Sequence, residues 1–108
     1  MGRPAITQKS IHKELYMNTK ILAVSGGFYF FGTEITAQAD GYIALKNAAM
    51  FGGFSGGKGL PGVARGDKSS TVILDQFVPE EELLFPVTAV FAILPSIDLY
   101  TFKGTTLR

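Results

Sequence analysis

The 108-residue sequence predicts a single all-β domain, a small antiparallel sheet preceded by one short helix. Three observations lead there. Two apolar, β-rich runs, Ile21 to Val24 and Phe28 to Phe31, flank Gly26-Gly27, and a third run, GYIALKNAAMF, begins at Asp40-Gly41. Glycine at each reversal reaches the positive φ that a tight hairpin needs, so residues 20–51 read as a three-strand meander. Downstream, TVILDQFV and VTAVFAIL are rich in β-branched and aromatic residues and are bounded by prolines, as strands are.

Taken in order, the chain opens with TQKSIHKELYMN at residues 7–18. Ile11 and Leu15 lie four apart there, Thr7 or Ser10 can serve as N-cap and Asn18 as a stop, so a short amphipathic helix is expected. His12, the only histidine, falls in it and reads as an ordinary surface or cap residue. After the meander come residues 52–70, nineteen residues of which seven are glycine, read as one long loop. Structureless loops of that length in a small domain are functional or mobile. Thr71 to Val78 is a strand closed by Pro79, and Glu80-Glu81-Glu82 read as the solvated first turn of a short helix. Pro86 opens VTAVFAIL, apolar on both faces and hence a core or an interface strand. Pro95-Ser96 turns the chain into IDLYTF, whose alternation marks a last strand before a polar tail, so that residues 71–103 carry the remaining strands.

Hydrophobic residues make up 46% of the chain and charged ones only 18%. A chain this short buries about 60 to 65% of its unfolded surface, so part of the apolar surface is expected to be covered by other copies of the chain. The net charge of +1 gives no global basic field for nucleic acid, and any electrostatic site has to be local. Lack of cysteine excludes disulfides and thiolate metal sites. No apolar run reaches signal-peptide length near the N-terminus or membrane-span length anywhere, which predicts a soluble, cytoplasmic protein with no membrane partner.

The sequence holds no paired acid and base, no Cys-His pair and no cluster with metal-ligand spacing, so neither an enzyme nor a cofactor or metal site is expected. Gly52 to Lys58 matches the start of a phosphate-binding loop. Gly59 stands where Mg²⁺ needs Ser or Thr, however, and Leu60-Pro61-Gly62 follows where that motif requires a helix. Arg65-Gly66-Asp67 reads as a turn.

The residues of the meander also resemble the first sequence motif of the Sm-like (LSm) family. Leu22 and Val24 stand as the alternating apolar residues of its first strand, Gly27 closes the first hairpin, and Phe30-Phe31-Gly32 matches the aromatic-x-Gly triplet at which strand two bends. Asp40, Tyr42, Leu45 and Lys46-Asn47-Ala48 match its third strand. The family's Asn is Ala44 here, and Asp40 lies two residues further from Gly32 than the family spacing. The second motif, Ile-Arg-Gly, has only Ile93-Leu94-Pro95 as a counterpart. The resemblance implies a strongly bent, antiparallel open barrel of five strands with the short helix on one end, whose subunits pair edge strands into a homo-oligomeric ring. Six candidate strands against those five make 71–78 the segment to suspect as an addition or a misread connection.

The resemblance further implies single-stranded RNA, or DNA, as ligand. Tyr42 would be the stacking platform, Asp40 the orienting acceptor and Lys46 a contributor. The cations of the glycine-rich segment, Lys58, Arg65 and Lys68, would neutralise phosphates. The expected function is a non-enzymatic nucleic-acid-binding ring, RNA ahead of DNA, acting in RNA or DNA processing, with poor base selectivity because the motif's Asn and Arg are missing. A structural assembly subunit, for example of a phage particle, fits the apolar edges equally well. Tyr42 taken alone reads as readily as a strand residue half in the core.

Overall fold

The structure is a computed structural model that describes residues 18–35, 41–77 and 82–108. The expected helix at 7–18, with His12, and the acceptor Asp40 lie outside the described residues, apart from Asn18 at the start of the first turn. The described elements are β1 (Thr19–Val24), β2 (Phe28–Ile35), β3 (Tyr42–Ser55), α1 (Gly59–Arg65), β4 (Thr71–Gln76), β5 (Glu82–Pro86), a 3₁₀ turn (Val87–Ala89), β6 (Val90–Pro95) and β7 (Thr105–Leu107).

The meander forms as its glycines require. Gly26 and Gly27 have φ of 88° and 82°, and β1 pairs antiparallel with β2 in a register that sets Leu22 against Phe30. Gly32 marks a second local event. Phe31 pairs with Ala49 but Thr33 with Lys46, so β3 carries a bulge opposite Gly32, with Asn47 at φ 53°. Asn tolerates this left-handed backbone better than most residues, and a bulge bends and twists its strand. A Cβ on Gly32 would stand 3.1 Å from Leu45 Cβ, 3.1 Å from the Lys46 carbonyl oxygen and 3.3 Å from Ala48 Cα. The bend expected at Gly32 is therefore a close approach of two backbones.

The sheet runs β6-β1-β2-β3-β4-β7, with β5 also on β3. It is mixed, because β7 lies parallel to β4, and among the described residues it does not close. The expectation of a purely antiparallel barrel is corrected on these points. The parallel strand comes from the C-terminus returning beside β4, where Arg108 binds Asp75 through two hydrogen bonds of 2.7 and 3.0 Å.

The 71–78 segment, suspected as an addition, is an integral strand over Thr71–Gln76, pairing with the second half of β3 from Ser55↔Thr71 to Ala49↔Gln76. β5 then takes the first half of β3, from Lys46↔Glu82 to Tyr42↔Pro86. The two strands succeed one another along one edge of β3, and the changeover falls at the bulge, where the Phe77 amide donates to the Ala48 carbonyl at 3.2 Å.

Other expectations fail for local reasons. Residues 52–70 are not one loop, since β3 continues to Ser55 and α1 occupies Gly59–Arg65. Pro61 does not prevent that helix, because a proline in the first turn lacks only an N–H that has no intrahelical acceptor. A seven-residue, glycine-rich helix has little intrinsic stability. Burial of Val63 and Ala64 and the left-handed C-cap at Gly66 (φ 73°) hold it. IDLYTF is not a strand: the Tyr100 amide donates to Asp98 Oδ1 (3.0 Å), and the Thr101 amide and hydroxyl both donate to the Asp98 carbonyl. Asp98 thus organises a turn that overrides the alternation. Glu82, read as part of a helix turn, begins β5, in which Leu83 and Phe85 face inward. VTAVFAIL divides into the 3₁₀ turn and β6.

The sheet is covered on both faces. Ile21, Phe31, Ala49, Val72, Leu74 and Leu99 pack with Val63 and Ala64 of α1 in one cluster. On the other face Leu22, Val24, Leu45 and Ala48 gather Phe30, Leu83, Phe85 and Val90. Adjacent residues of β1, Ile21 and Leu22, thus belong to opposite clusters, which is why β1 reads as an unbroken apolar run.

Candidate functional site

The sheet leaves strand edges exposed and unpaired. Among the described residues β6 pairs only with β1, and β5 only with β3, so each presents a free edge. Both edges carry exposed apolar side chains: Leu84 on β5, Val87 in the 3₁₀ turn, and Phe91 (74% exposed) and Ile93 on β6. The outer edge of β4 is covered by the three-residue β7, which pairs only with β4 among the described residues and leaves a third, shorter edge. A soluble sheet normally blunts or covers such edges, and apolar ones are sites of pairing.

Tyr42 opens β3 and is 47% exposed, so it is not a core residue. The register sets Tyr42 against Pro86 and Lys46 against Glu82. Side chains alternate along a strand, so Tyr42 and Lys46, four residues apart, stand on one face beside the β5 edge. Ala44, in the position of the family's Asn, is fully buried between them. Lys46 is exposed, with the Glu82 carboxylate as its cross-strand neighbour.

The other predicted cations do not join this face. Lys58 caps the N-terminus of α1, and Arg65 ends that helix and pairs with Asp67 at 3.2 Å. Lys68 follows in the turn to β4. All three lie beyond the far end of β3, a fourteen-residue strand that begins at Tyr42. A strand-three face and a helix-end group are thus two surfaces of one chain rather than a single site.

Two polar contacts brace the bend between them. The Tyr100 phenol donates to the Asn47 carbonyl at 2.5 Å, tying the C-terminal turn to the bulge of β3. Burial first, and the Asp98 charge second, push this phenol above its ordinary pKa, so it stays a neutral donor. Lys20 and Glu34 form an ion pair of 2.6 Å across β1 and β2. Sequence reasoning missed Tyr100 because the residues it joins are far apart in the chain. It also missed Lys103, which the turn after Asp98 brings to the same cleft as Lys68.

Among the described residues no group of three His, Cys, Asp or Glu side chains could hold a metal ion, and no helix is long and apolar enough to cross a membrane. No family model matches the chain, and no curated protein matches its sequence.

Proposed function

We propose that the chain is the non-enzymatic subunit of a homo-oligomeric, Sm-like ring that binds single-stranded nucleic acid, RNA in preference to DNA, in a cytoplasmic RNA- or DNA-processing role. The observation that carries this reading is the pair of free, apolar edges, β5 and β6, on opposite sides of one sheet. Head-to-tail pairing of such edges generates a ring when the rotation closes. The strand order supports the family resemblance. Because β4 and β5 are successive halves of one edge position, the sheet has five positions, β6-β1-β2-β3 and β4 with β5, and β7 is an addition outside them. The bulge opposite Gly32 supports it too.

The exposed Tyr42 supports the ligand. It offers an aromatic face at the start of β3, and stacking on such a face is worth about 1 to 3 kcal/mol per base. Repetition around a ring multiplies that weak subsite. The second reading, an assembly subunit without nucleic acid, for example in a phage particle, is favoured by the counter-charges: Glu82 opposes Lys46 and Asp67 pairs with Arg65.

Sedimentation at micromolar concentration, followed by titration of a fluorescent oligonucleotide at low salt, separates the readings. The nucleic-acid ring requires a discrete oligomer, binding that Tyr42→Ala weakens at every salt concentration, and uridine-rich and mixed oligomers within a few-fold of each other. An oligomer that ignores the oligonucleotide leaves the assembly reading. A sharp monomer peak overturns both.

A further inference from the structure

The turn that follows β6 builds a cleft of about 620 Å³ between the end of α1 and the start of β7. Its walls combine two cations, Lys68 and Lys103, a carboxylate, Asp98, a hydroxyl, Thr101, and two apolar side chains, Ile97 and Phe102. Tyr42 and the free edges are not part of it. Its volume falls within the range of small-ligand pockets, about 300 to 1,000 Å³.

We propose that this cleft binds a small phosphorylated ligand with a flat body, of the nucleoside monophosphate kind. Neither lysine makes an ion pair among the described residues, so both ammonium groups are available to an anion. Two ammonium groups against one carboxylate leave a local charge that matches a single phosphate better than a polyphosphate. Asp98 Oδ1 accepts from the Tyr100 amide, which fixes the carboxylate and leaves its other oxygen to accept from a sugar hydroxyl. Thr101 donates its proton to the Asp98 carbonyl, so it too faces a ligand as an acceptor. A ligand with donors between an anion and a ring fits this order of groups.

The aromatic wall is set by backbone. A Cβ on Gly104 would stand 2.7 Å from Phe102 Cε2 and would overlap the Ser70 carbonyl oxygen, and one on Gly66 would overlap Ile97 Cδ1 and stand 3.6 Å from Phe102 Cδ1. Phe102 therefore lies close to two glycine backbones and packs against the core cluster under α1. A fixed ring loses little entropy when a base packs on it. The inference is independent of the ring reading, since no group in the cleft belongs to the face of Tyr42 or to a free edge.

Calorimetric titration of the full chain with AMP, with adenosine and with inorganic phosphate tests it. AMP should bind saturably, and adenosine and phosphate each at least about tenfold more weakly, because each makes only half of the contacts. The double variant Lys68→Ala/Lys103→Ala should weaken AMP about tenfold while its circular dichroism stays that of the parent. Phe102→Leu keeps the wall apolar and should weaken AMP but not phosphate. The proposal is overturned by the absence of saturable AMP binding, by phosphate binding as tightly as AMP, or by AMP binding that persists in the lysine variant and disappears in Tyr42→Ala. That last pattern would assign the nucleotide to the strand-three face, whereas failure of the ring reading shows in the sedimentation mass and the oligonucleotide titration.

Discussion

Gly32 offers the sharpest test of the bend, because the atoms that a side chain would meet there cannot move aside. Gly32→Ala places a methyl 3.1 Å from both Leu45 Cβ and the Lys46 carbonyl oxygen and 3.3 Å from Ala48 Cα. All three belong to the bulged stretch of β3, so relief requires the bulge itself to shift. Overpacking of this kind costs about 1 to 3 kcal/mol. It is offset in part by about 0.4 to 1 kcal/mol gained when the unfolded chain loses glycine freedom. Each net kcal/mol lowers Tm by roughly 4 to 8 °C in a domain of this size, so Gly32→Ala should melt several degrees below the parent and Gly32→Val lower still. Gly57→Ala is the control, since a Cβ there meets nothing within 4 Å, and its Tm should match the parent or rise slightly. Thermal unfolding followed by circular dichroism reads all three variants. Equal melting of Gly32→Ala and Gly57→Ala would refute the close approach and the bend argued from it.

Two further outcomes check the C-terminal third. Leu99 is fully buried in the cluster under α1, so Leu99→Ala should cost about 2 to 5 kcal/mol by chemical denaturation; a loss under about 0.5 kcal/mol, as surface positions give, would mean that the turn is not anchored there. Arg108 hydrogen-bonds both oxygens of Asp75 and holds that carboxyl below the usual carboxylate range. With the folded value under the unfolded one, the contact contributes above the unfolded value and is lost as pH falls through the folded one. Exchange of the Arg108 amide, which donates to the Leu74 carbonyl, should therefore quicken beyond its intrinsic rate only at the acid end. Quickening between roughly pH 5 and 8, where carboxylates stay ionised, would show that another group holds β7.

The parts of the fold that were legible are those written in local chemistry. Gly26-Gly27 and Gly41 need positive φ wherever they sit, and the apolar runs around them have no other element to form. Gly32 was legible only through its motif, because its reason is Ala48 and Lys46 across the sheet. Alternation in residues 97–102 misled because a single Asp accepting three hydrogen bonds decides a turn more firmly than a period of two decides a short strand. Pro61 misled because its effect depends on where the helix begins. β7 was invisible, since a three-residue parallel strand is specified by its partner and not by its own sequence. The same limit holds for function: Tyr42 could be named as a candidate from its motif, whereas the cleft that Lys68 and Lys103 both line exists only after the chain has turned at Asp98.

In the proposed ring, the geometry of the edges decides which interactions hold the subunits together. β7 covers β4, so that side offers only the five residues of β5 and the three of β7 to the six of β6 on a neighbour. A ladder that short gains roughly 0.5 to 1.5 kcal/mol per hydrogen bond, no more than the cost of association itself, about 4 to 15 kcal/mol. The surplus has to come from apolar side chains on the edges, and Phe91, at 74% exposure, has the most surface to bury. Burying it contributes about 1.5 to 3 kcal/mol, a factor of ten or more at every interface. Phe91→Ala should therefore shift the sedimentation profile toward monomer at low micromolar concentration while its circular dichroism stays that of the parent. Phe28→Ala, exposed at the tip of the first hairpin and away from both edges, should not. Raising the salt should leave the mass unchanged, since screening acts on charges and not on apolar contacts. Identical profiles for the two variants, or dissociation of the parent in salt, would remove the apolar edges from the account of assembly.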